Sequence, residues 1–398
     1  MKKIYYAKAS YGKEEVKAVN KVLKNSMELM NGRKVREFEK NVAKLFGKKF
    51  GLMVNSGSSA NLIALQSLNL KNNSEIITPL LTFSTTVAPI YHSNLLPRFI
   101  DVDLNKYIAT PDVVEKSINK NTKAIYLPNL LGNIPDWNKI YEIAKKYNLK
   151  VVEDSADTIG YKIKNYSGSF SDVVTTSFYA SHVVTGAGFG GMVCFNDKKL
   201  YNRALLLRSW GRSSAIINEN ENIKKRFSKK LDGIEYDSKY IFENLGYNFI
   251  PSEISAAFGL EQLKKLKINL RKRKKNFNFL KNYIQKNLSN FFYVPEENLN
   301  TKTAWLAFPL LIKNYIKINR KKLQIFLEKN LIQTRTIFSG NITKHPMMKN
   351  RNYKIVKKPF YNADYIMKNG ILIGCHNSMT KKELNFICSK INQFVNNQ

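Results

Sequence analysis

A chain of 398 residues, 43% hydrophobic and 12% aromatic, holds enough apolar material for two parts sharing an extensive buried surface, which excludes a disordered or low-complexity protein. Lys and Arg number 65 against 30 Asp and Glu, a formal net charge of +35, but they are spread along the whole chain, so an anionic small substrate is expected rather than a nucleic-acid partner. No apolar run approaches the roughly 18 residues of a spanning helix and "MKKIYYAKASYGKEEV" lacks an apolar secretory core, so a soluble, cytoplasmic protein with no membrane partner is expected.

Along the first two thirds, short β-rich runs alternate with amphipathic stretches. The runs are "FGLMVN", "EIITP", "LPRFIDVD", "KAIYLPN", "KVVEDSA", "VVTTSF" and "GGMVCFN"; helical pieces such as "SANLIALQSLNL" and "PDWNKIYEIAKKYN" lie between them. That alternation predicts an α/β domain with a mostly parallel sheet and helices on both faces. From "GYNFIPSEISAAFGLEQL" onward one long helical stretch carries the chain into a mixed C-terminal portion with "TAWLAFPLLI", "RKKLQIFLEKN" and a final helix from about Lys381. The densest basic run, "LRKRKKNFNFLKNYIQK", has apolar residues interleaved at helical spacing and reads as a solvated helix face. The expected division is residues 1–262 and 263–398. Cys194, Cys375 and Cys388 are far apart without CxxC spacing, so they read as reduced thiols with no metal site.

Ligand sites on such a sheet gather at the C-terminal ends of strands. "VNSGSSANLIAL" runs strand, small-residue turn, helix, which would put the backbone N–H groups of Gly57, Ser58 and Ser59 at a helix N-terminus. That is an anion site or an ordinary turn with an N-cap. "VVEDSAD" ends an apolar strand on Asp154, either a helix cap or the partner of a buried cation.

In order and separation, "VNSGSSANLIAL", "PLLTFSTTVAPI", "FIDVD", "VVEDSAD", "SFYASH" and "GYNFIPSEISAAFGLEQL" resemble the nucleotide-sugar aminotransferase family named after DegT, DnrJ, EryC and StrS proteins, over nearly the whole chain. The resemblance implies the aspartate-aminotransferase fold (fold type I), a large domain with a mostly parallel sheet and a smaller α+β C-terminal domain, and pyridoxal 5′-phosphate as cofactor. It assigns Gly57, Ser58 and Ser177 to the cofactor phosphate and Phe83 to stacking on the pyridine ring. Asp154 takes the pyridine nitrogen, which it keeps protonated so that the ring can act as an electron sink; Asp157 stands near the cofactor hydroxyl. Asn248 would reach the phosphate of the opposite subunit, which implies a homodimer with a shared active site.

At the catalytic position, where this family places the lysine that forms a Schiff base with pyridoxal phosphate, the chain has His182. An imidazole cannot form that imine but can accept a proton near neutral pH. The same change marks a branch of sugar 3-dehydratases that work with pyridoxamine 5′-phosphate and make 3,6-dideoxyhexoses. "LRSWGR", "GIEYDSKYIFENLGYN" and "RTIFSGNITKHPMM" also resemble that branch. The implied substrate is a nucleotide-diphosphate 4-keto-6-deoxysugar. The CDP-sugar members hold an iron–sulfur cluster on cysteines downstream of "WGR", whereas "WGRSSAIINENENIKKRF" contains none. The redox-neutral route of the GDP-sugar members, with L-glutamate as amino donor, is therefore expected. The glycine-rich tail departs from the family's Gly-Glu-Gly-Gly run: it reads "TGAGFGG", with Phe189 and no glutamate. Trp210, Arg212, Arg335, Asn341 and His376 are candidates for the substrate side, Arg335 as a diphosphate grip and Asn341 as a sugar-hydroxyl partner. Competing readings are an aminotransferase recruiting another lysine and a non-catalytic binding protein.

Overall fold

The computed structural model describes residues 2–24, 29–163, 169–216, 222–298, 301–313, 318–356, 359 and 361–397. Its strands are β1 (Phe50–Val54), β2 (Glu75–Pro79), β3 (Leu96–Ile100), β4 (Thr122–Pro128), β5 (Lys150–Asp154), β6 (Lys162–Ile163), β7 (Val173–Ser177) and β8 (Gly191–Phe195). They are followed by β9 (Lys229–Leu231), β10 (Ile234–Tyr236), β11 (Phe292–Tyr293), β12 (Thr301–Lys302), β13 (Ala307–Ile312), β14 (Lys354–Ile355) and β15 (Gly370–Gly374). The helices are α1 (Lys13–Leu23), α2 (Arg33–Leu45), α3 (Gly57–Ser67), α4 (Ser84–His92), α5 (Pro111–Lys116) and α6 (Trp137–Lys146). Beyond them come α7 (Lys198–Arg208), α8 (Ile223–Arg226), α9 (Glu253–Asn287), α10 (Arg320–Lys329), α11 (Asn362–Asn369) and α12 (Lys381–Asn396).

Eight strands form one sheet in the order β1-β8-β7-β5-β4-β2-β3-β14. Only β8 runs against the rest, antiparallel to both β1 and β7. β2, β7 and β8 are buried along their whole length, as expected of strands covered on both faces. One face packs against α2, α6 and the start of α9 through residues such as Phe38, Trp137 and Leu260. The other packs against α3, α4 and α7 through residues such as Ile63, Ile90 and Leu205. The predicted α/β class and mostly parallel sheet are what the structure has.

The C-terminal portion holds a three-stranded antiparallel sheet, β11-β13-β15. α9 runs for 35 residues, about 52 Å at 1.5 Å per residue, and belongs to both cores. Ala256, Leu260 and Leu266 face the large sheet, while Phe277, Leu280 and Ile284 face the small one. The expected division at residue 262 falls within this helix, and β14 returns from the C-terminal portion to pair with β3 at the edge of the large sheet. α9 starts later than its helical pattern suggested. Pro251 bars the preceding residue from helical geometry, and the Ser252 hydroxyl accepts from the Ile254 N–H at 3.1 Å as the N-cap.

The N-cap of α2 is Gly32, which has no side chain to offer. Glu253, buried at the start of α9, supplies the missing acceptors: its carboxylate takes the N–H groups of Lys34 and Val35, both at 2.8 Å. A Cβ on Gly32 would stand 2.9 Å from the Glu253 carboxyl carbon, so the glycine is what lets the two helix starts meet. Glu253→Ala strands both N–H groups, and charge-assisted bonds of this kind contribute about 1.5–3 kcal/mol each. The main urea transition should fall by roughly that amount, and an unchanged midpoint would show that water replaces the carboxylate at no cost.

Candidate active site

A cavity of about 590 Å³ opens where β1, β4, β5 and β7 end. Gly57, Ser58, Phe83, Asp154, Asp157, Ser177 and His182, seven residues drawn from separate stretches of sequence, all line it. A larger groove, about 1120 Å³, lies between α1, α2 and the first turns of α9 and contains none of them.

One end of the cavity suits an anion. The Ser56 hydroxyl caps α3 by accepting from the Ser59 N–H at 3.1 Å; the first N–H groups of a helix have no partner within it. β7 comes so close to this helix start that a Cβ on Gly57 would stand 2.5 Å from the Cβ of Ser177. Only glycine leaves room for the Ser177 side chain against the start of α3.

The other end suits a flat cation. The Asp154 carboxylate accepts from Asn61 Nδ2 at 2.9 Å, Thr86 Oγ1 at 2.9 Å and the Ala156 N–H at 3.1 Å. All three donors are neutral, and burial lifts its pKa. A carboxylate held from water without a counter-charge is costly, and a protonated ring nitrogen would remove that cost. Phe83 stands at the N-cap of α4, 53% exposed although it lines the cavity, with the ring of Phe338 edge-on to it at 6.2 Å between centres. Asp157 accepts from the Leu131 N–H at 2.8 Å. Burial, reinforced by the neighbouring Asp154, lifts its pKa to about 7.

His182 lines the same cavity. Its Nδ1 is 3.3 Å from the backbone carbonyl of Ser177. A carbonyl only accepts, so Nδ1 carries the hydrogen and Nε2 is the basic nitrogen. Burial lowers the imidazole pKa to about 4, partly offset by the Ser177 carbonyl, and the Arg273 guanidinium lowers it further. The glycine-rich tail loops back on β7, with Gly186 N–H donating to the Phe178 carbonyl and Phe178 N–H to that of Gly190, both at 2.9 Å. Ala187, Gly188 and Gly190 take positive φ of 56°, 98° and 114°, which leaves Phe189 72% exposed at the cavity mouth.

The remaining candidates lie outside the cavity. Asn248 is exposed and its Oδ1 accepts only weakly, from the Ile250 N–H at 3.4 Å. The Arg212 guanidinium lies 4.3 Å from the centre of the Trp210 ring, with Tyr240 and Phe242 beyond it. Arg335 is exposed, donates to the Thr334 carbonyl at 2.7 Å, and stands 5.8 Å from the ring of Tyr6, which lines the cavity. The sugar contact expected of Asn341 needs correction, whereas for His376 the sequence already favours a packed histidine over a second base. Asn341 is buried with its amide committed: Nδ2 donates to Asp364 at 2.7 Å and Oδ1 accepts from both Thr343 donors, so it holds a turn instead of facing a sugar. His376 is 4% exposed, its Nε2 lies 3.2 Å from the Tyr5 carbonyl, and burial lowers its pKa to about 4. It is a packed histidine.

The lining residues that the sequence did not single out include Tyr6, Asn61, Thr86 and Phe338. Asn61 follows Gly57 by one helical turn, and Thr86 follows Phe83 in the same motif, so both had a local signal. Tyr6 had none, because its contacts come from residues more than 300 positions away.

A model of the DegT/DnrJ/EryC1/StrS aminotransferase family matches residues 9–392. The lipopolysaccharide biosynthesis protein RfbH of Salmonella typhimurium is 34% identical over 92% of this chain and 86% of its own. The GDP-4-keto-6-deoxy-D-mannose 3-dehydratase of Yersinia pseudotuberculosis is 31% identical over 93% of each. A solved GDP-4-keto-6-deoxymannose-3-dehydratase with a trapped PLP-glutamate geminal diamine superposes with a TM-score of 0.86 at 28% identity, covering 97% of this chain and 99% of that one. The residues present fit pyridoxal phosphate: a glycine-backed helix start for the phosphate, an exposed Phe83 for the ring face, and a carboxylate lacking a cation for the ring nitrogen.

In Gly57→Ala the new Cβ separates α3 from β7, so pyridoxamine phosphate should bind at least about ten-fold more weakly in a fluorescence titration, a loss of about 1.4 kcal/mol; unchanged affinity would remove Gly57 from the phosphate cradle. Asp157 supports a second test, on the cofactor-free protein. Its folded pKa is raised from 3.8 to about 7, so the native state holds the proton longer than the unfolded one. Its stabilising contribution is full below pH 3.8 and is lost as pH rises through 7. Asp157→Asn should gain stability relative to the parent across that window in urea titrations, and a constant difference between the two proteins would show that Asp157 does not titrate there.

Proposed function

The chain belongs to the DegT/DnrJ/EryC1/StrS aminotransferase family, and we propose that it removes the C3 hydroxyl of a nucleotide-diphosphate-linked 4-keto-6-deoxyhexose, with pyridoxamine 5′-phosphate as cofactor and His182 as base. One observation carries this reading: an imidazole stands in an otherwise intact cofactor cradle, and no lysine lines that cavity among the described residues. An aminotransferase that recruits a different lysine would need one there.

When bound, the cofactor supplies an amine for the C4 ketone and a protonated ring that draws electrons from the adjoining carbon. Asp154 holds the ring-nitrogen proton in place, and Asn61 and Thr86 fix the orientation of that carboxylate. Phe83 sets the ring plane, while Gly57, Ser58 and Ser177 hold the phosphate so that no covalent anchor is needed. His182 is neutral at physiological pH and receives the proton from the carbon next to the ring on Nε2. A base so placed contributes roughly 10²- to 10⁴-fold. The same proton is then available to the C3 hydroxyl, which departs as water.

The final step in this reading is redox-neutral toward any outside reductase, the amine of L-glutamate restoring the cofactor. Cluster iron needs thiolates grouped at the site. Cys194 is buried in β8, and Cys375 and Cys388 are buried in the C-terminal core, where burial lifts both thiols to about 12. The "WGR" stretch itself has no cysteine, and its residues 217–221 lie outside the described ones. A homodimer completes the site in this reading. Asn248, Trp210 and Arg212 lie outside their own cavity, beside exposed Tyr240, Phe242 and Leu245; Asn248 of the partner subunit would close over the phosphate.

Mass spectrometry on a panel of 4-keto-6-deoxy nucleotide sugars supplied with glutamate should find a product lighter by one oxygen, with 2-oxoglutarate and ammonia released. A product retaining nitrogen would make the protein an aminotransferase. His182→Lys should tether the cofactor through a borohydride-reducible bond and lower deoxygenation by at least about 100-fold; deoxygenation at the parent rate would remove His182 from its role.

A further inference from the structure

We propose that Phe189 is a specificity-determining residue: an aromatic platform on the rim of the cavity that stacks on the nucleobase of the substrate. The proposal rests on the reading of that substrate as a nucleotide-diphosphate-linked sugar.

Phe189 stands in the glycine-rich tail, whose backbone is held from both sides. Gly186 N–H donates to the Phe178 carbonyl at 2.9 Å, Gly188 N–H to Thr185 Oγ1 at 3.2 Å and Gly190 N–H to the Asn55 carbonyl at 2.9 Å. The return is tight, since a Cβ on Gly186 would stand 2.3 Å from the Phe189 carbonyl oxygen. Ala187 is held at a φ of 56°, a left-handed conformation that is unfavourable for a residue with a Cβ. This fixed turn presents a large apolar side chain to water: Phe189 is 72% exposed and packs against none of the three apolar cores. Leaving a ring so exposed forfeits the gain of burying it, and strain kept at the edge of a ligand cavity points to a use for the side chain it presents.

The use follows from what surrounds the ring. The Tyr179 ring stands edge-on to that of His182 at 5.8 Å between centres, and the Tyr179 backbone bridges to Gly188, the neighbour of Phe189. Tyr179 is itself 60% exposed, so a substrate with its sugar at His182 meets two aromatic side chains on the way to solvent. The cavity, about 590 Å³, is the size of a site for one ordinary ligand, roughly 300–1,000 Å³. Cofactor and hexose together occupy that space, which leaves the nucleotide across the mouth. Asp154 and Asp157, the lining carboxylates, are both buried, and no lysine or arginine lines the cavity among the described residues. The mouth therefore has no charge for a phosphate to pair with, but a flat π-face for a base.

The test is calorimetric titration of the full chain, loaded with pyridoxamine phosphate, with GDP and with CDP, and with inorganic pyrophosphate as the probe lacking a base. Phe189→Ala should weaken the nucleoside diphosphate that the parent prefers by at least about five-fold, the low end of what stacking one base contributes, and leave pyrophosphate unchanged. Phe189→Tyr keeps a ring and should restore binding, whereas Phe189→Leu keeps only apolar surface and should not. The kcat/KM of deoxygenation should fall by the same factor. Four results overturn the proposal: a parent that binds neither nucleotide, unchanged affinity in Phe189→Ala, an equal loss for pyrophosphate, or a Phe189→Ala protein of lower mass by light scattering, which would make the ring a subunit contact. If the parent binds nucleotide through this ring but forms no deoxy product, the functional reading fails and the platform stands.

Discussion

A carboxylate kept from water with no counter-charge sets the demands that the rest of the site meets. Asp154 ends a strand in the middle of the sheet, and its three neutral donors come from α3, α4 and its own turn. Asn61 is in turn fixed by Thr175 of β7, whose hydroxyl donates to its Oδ1 at 2.6 Å. Four elements are thereby registered to one buried oxygen pair. Moving any of them would leave a polar group unpaired in low dielectric, where the loss is largest. The same registration brings β7 against the start of α3 and makes glycine compulsory at position 57. The charged end and the phosphate end are therefore one geometric requirement.

Much of this was legible from local pattern. The seven β-rich runs coincide with β1 to β5, β7 and β8, because strands buried on both faces write continuous apolar runs into the sequence. Short motifs gave the cradle, since strand, turn and helix start are adjacent in the chain and the residues of a turn cannot separate. Strand direction was less visible. "GGMVCFN" reads like its neighbours, yet β8 is antiparallel, because the chain returns from β7 through a loop without a crossover helix. Asn341 shows a different failure. It sits in a motif that matches, but Asp364, brought in by tertiary packing, and Thr343 of its own turn had already claimed its amide. Tyr6 reaches the site only through the way the N-terminal segment packs on it, which no spacing rule encodes.

The histidine makes sense against this background. A lysine at position 182 would form an imine with the cofactor and stay tethered to it between turnovers. An imidazole can lose its charge, and the same surroundings that lower its pKa also leave Nε2 open by directing the Nδ1 hydrogen to the Ser177 carbonyl. On the proposed function, proton acceptance and freedom of the cofactor from a covalent anchor would then follow from one side chain. The cofactor would then be held by its phosphate, ring face and ring nitrogen alone, a demand that a fully built cradle meets.

α9 ties this chemistry to the remainder of the chain. It begins by capping α2 through Glu253, passes Arg273 behind the cavity wall, and ends in the C-terminal core, where Phe277 stacks on Trp305 at 4.6 Å. Trp305 precedes Leu306, whose carbonyl takes the Arg273 hydrogen bond and whose side chain lines the site. A shift of the C-terminal sheet relative to the large one would have to drag this helix or break that bond. The two parts are coupled by one long helix that is bonded to the backbone of a residue in the cavity wall, so the packing of the C-terminal portion and the shape of the cavity cannot be set independently.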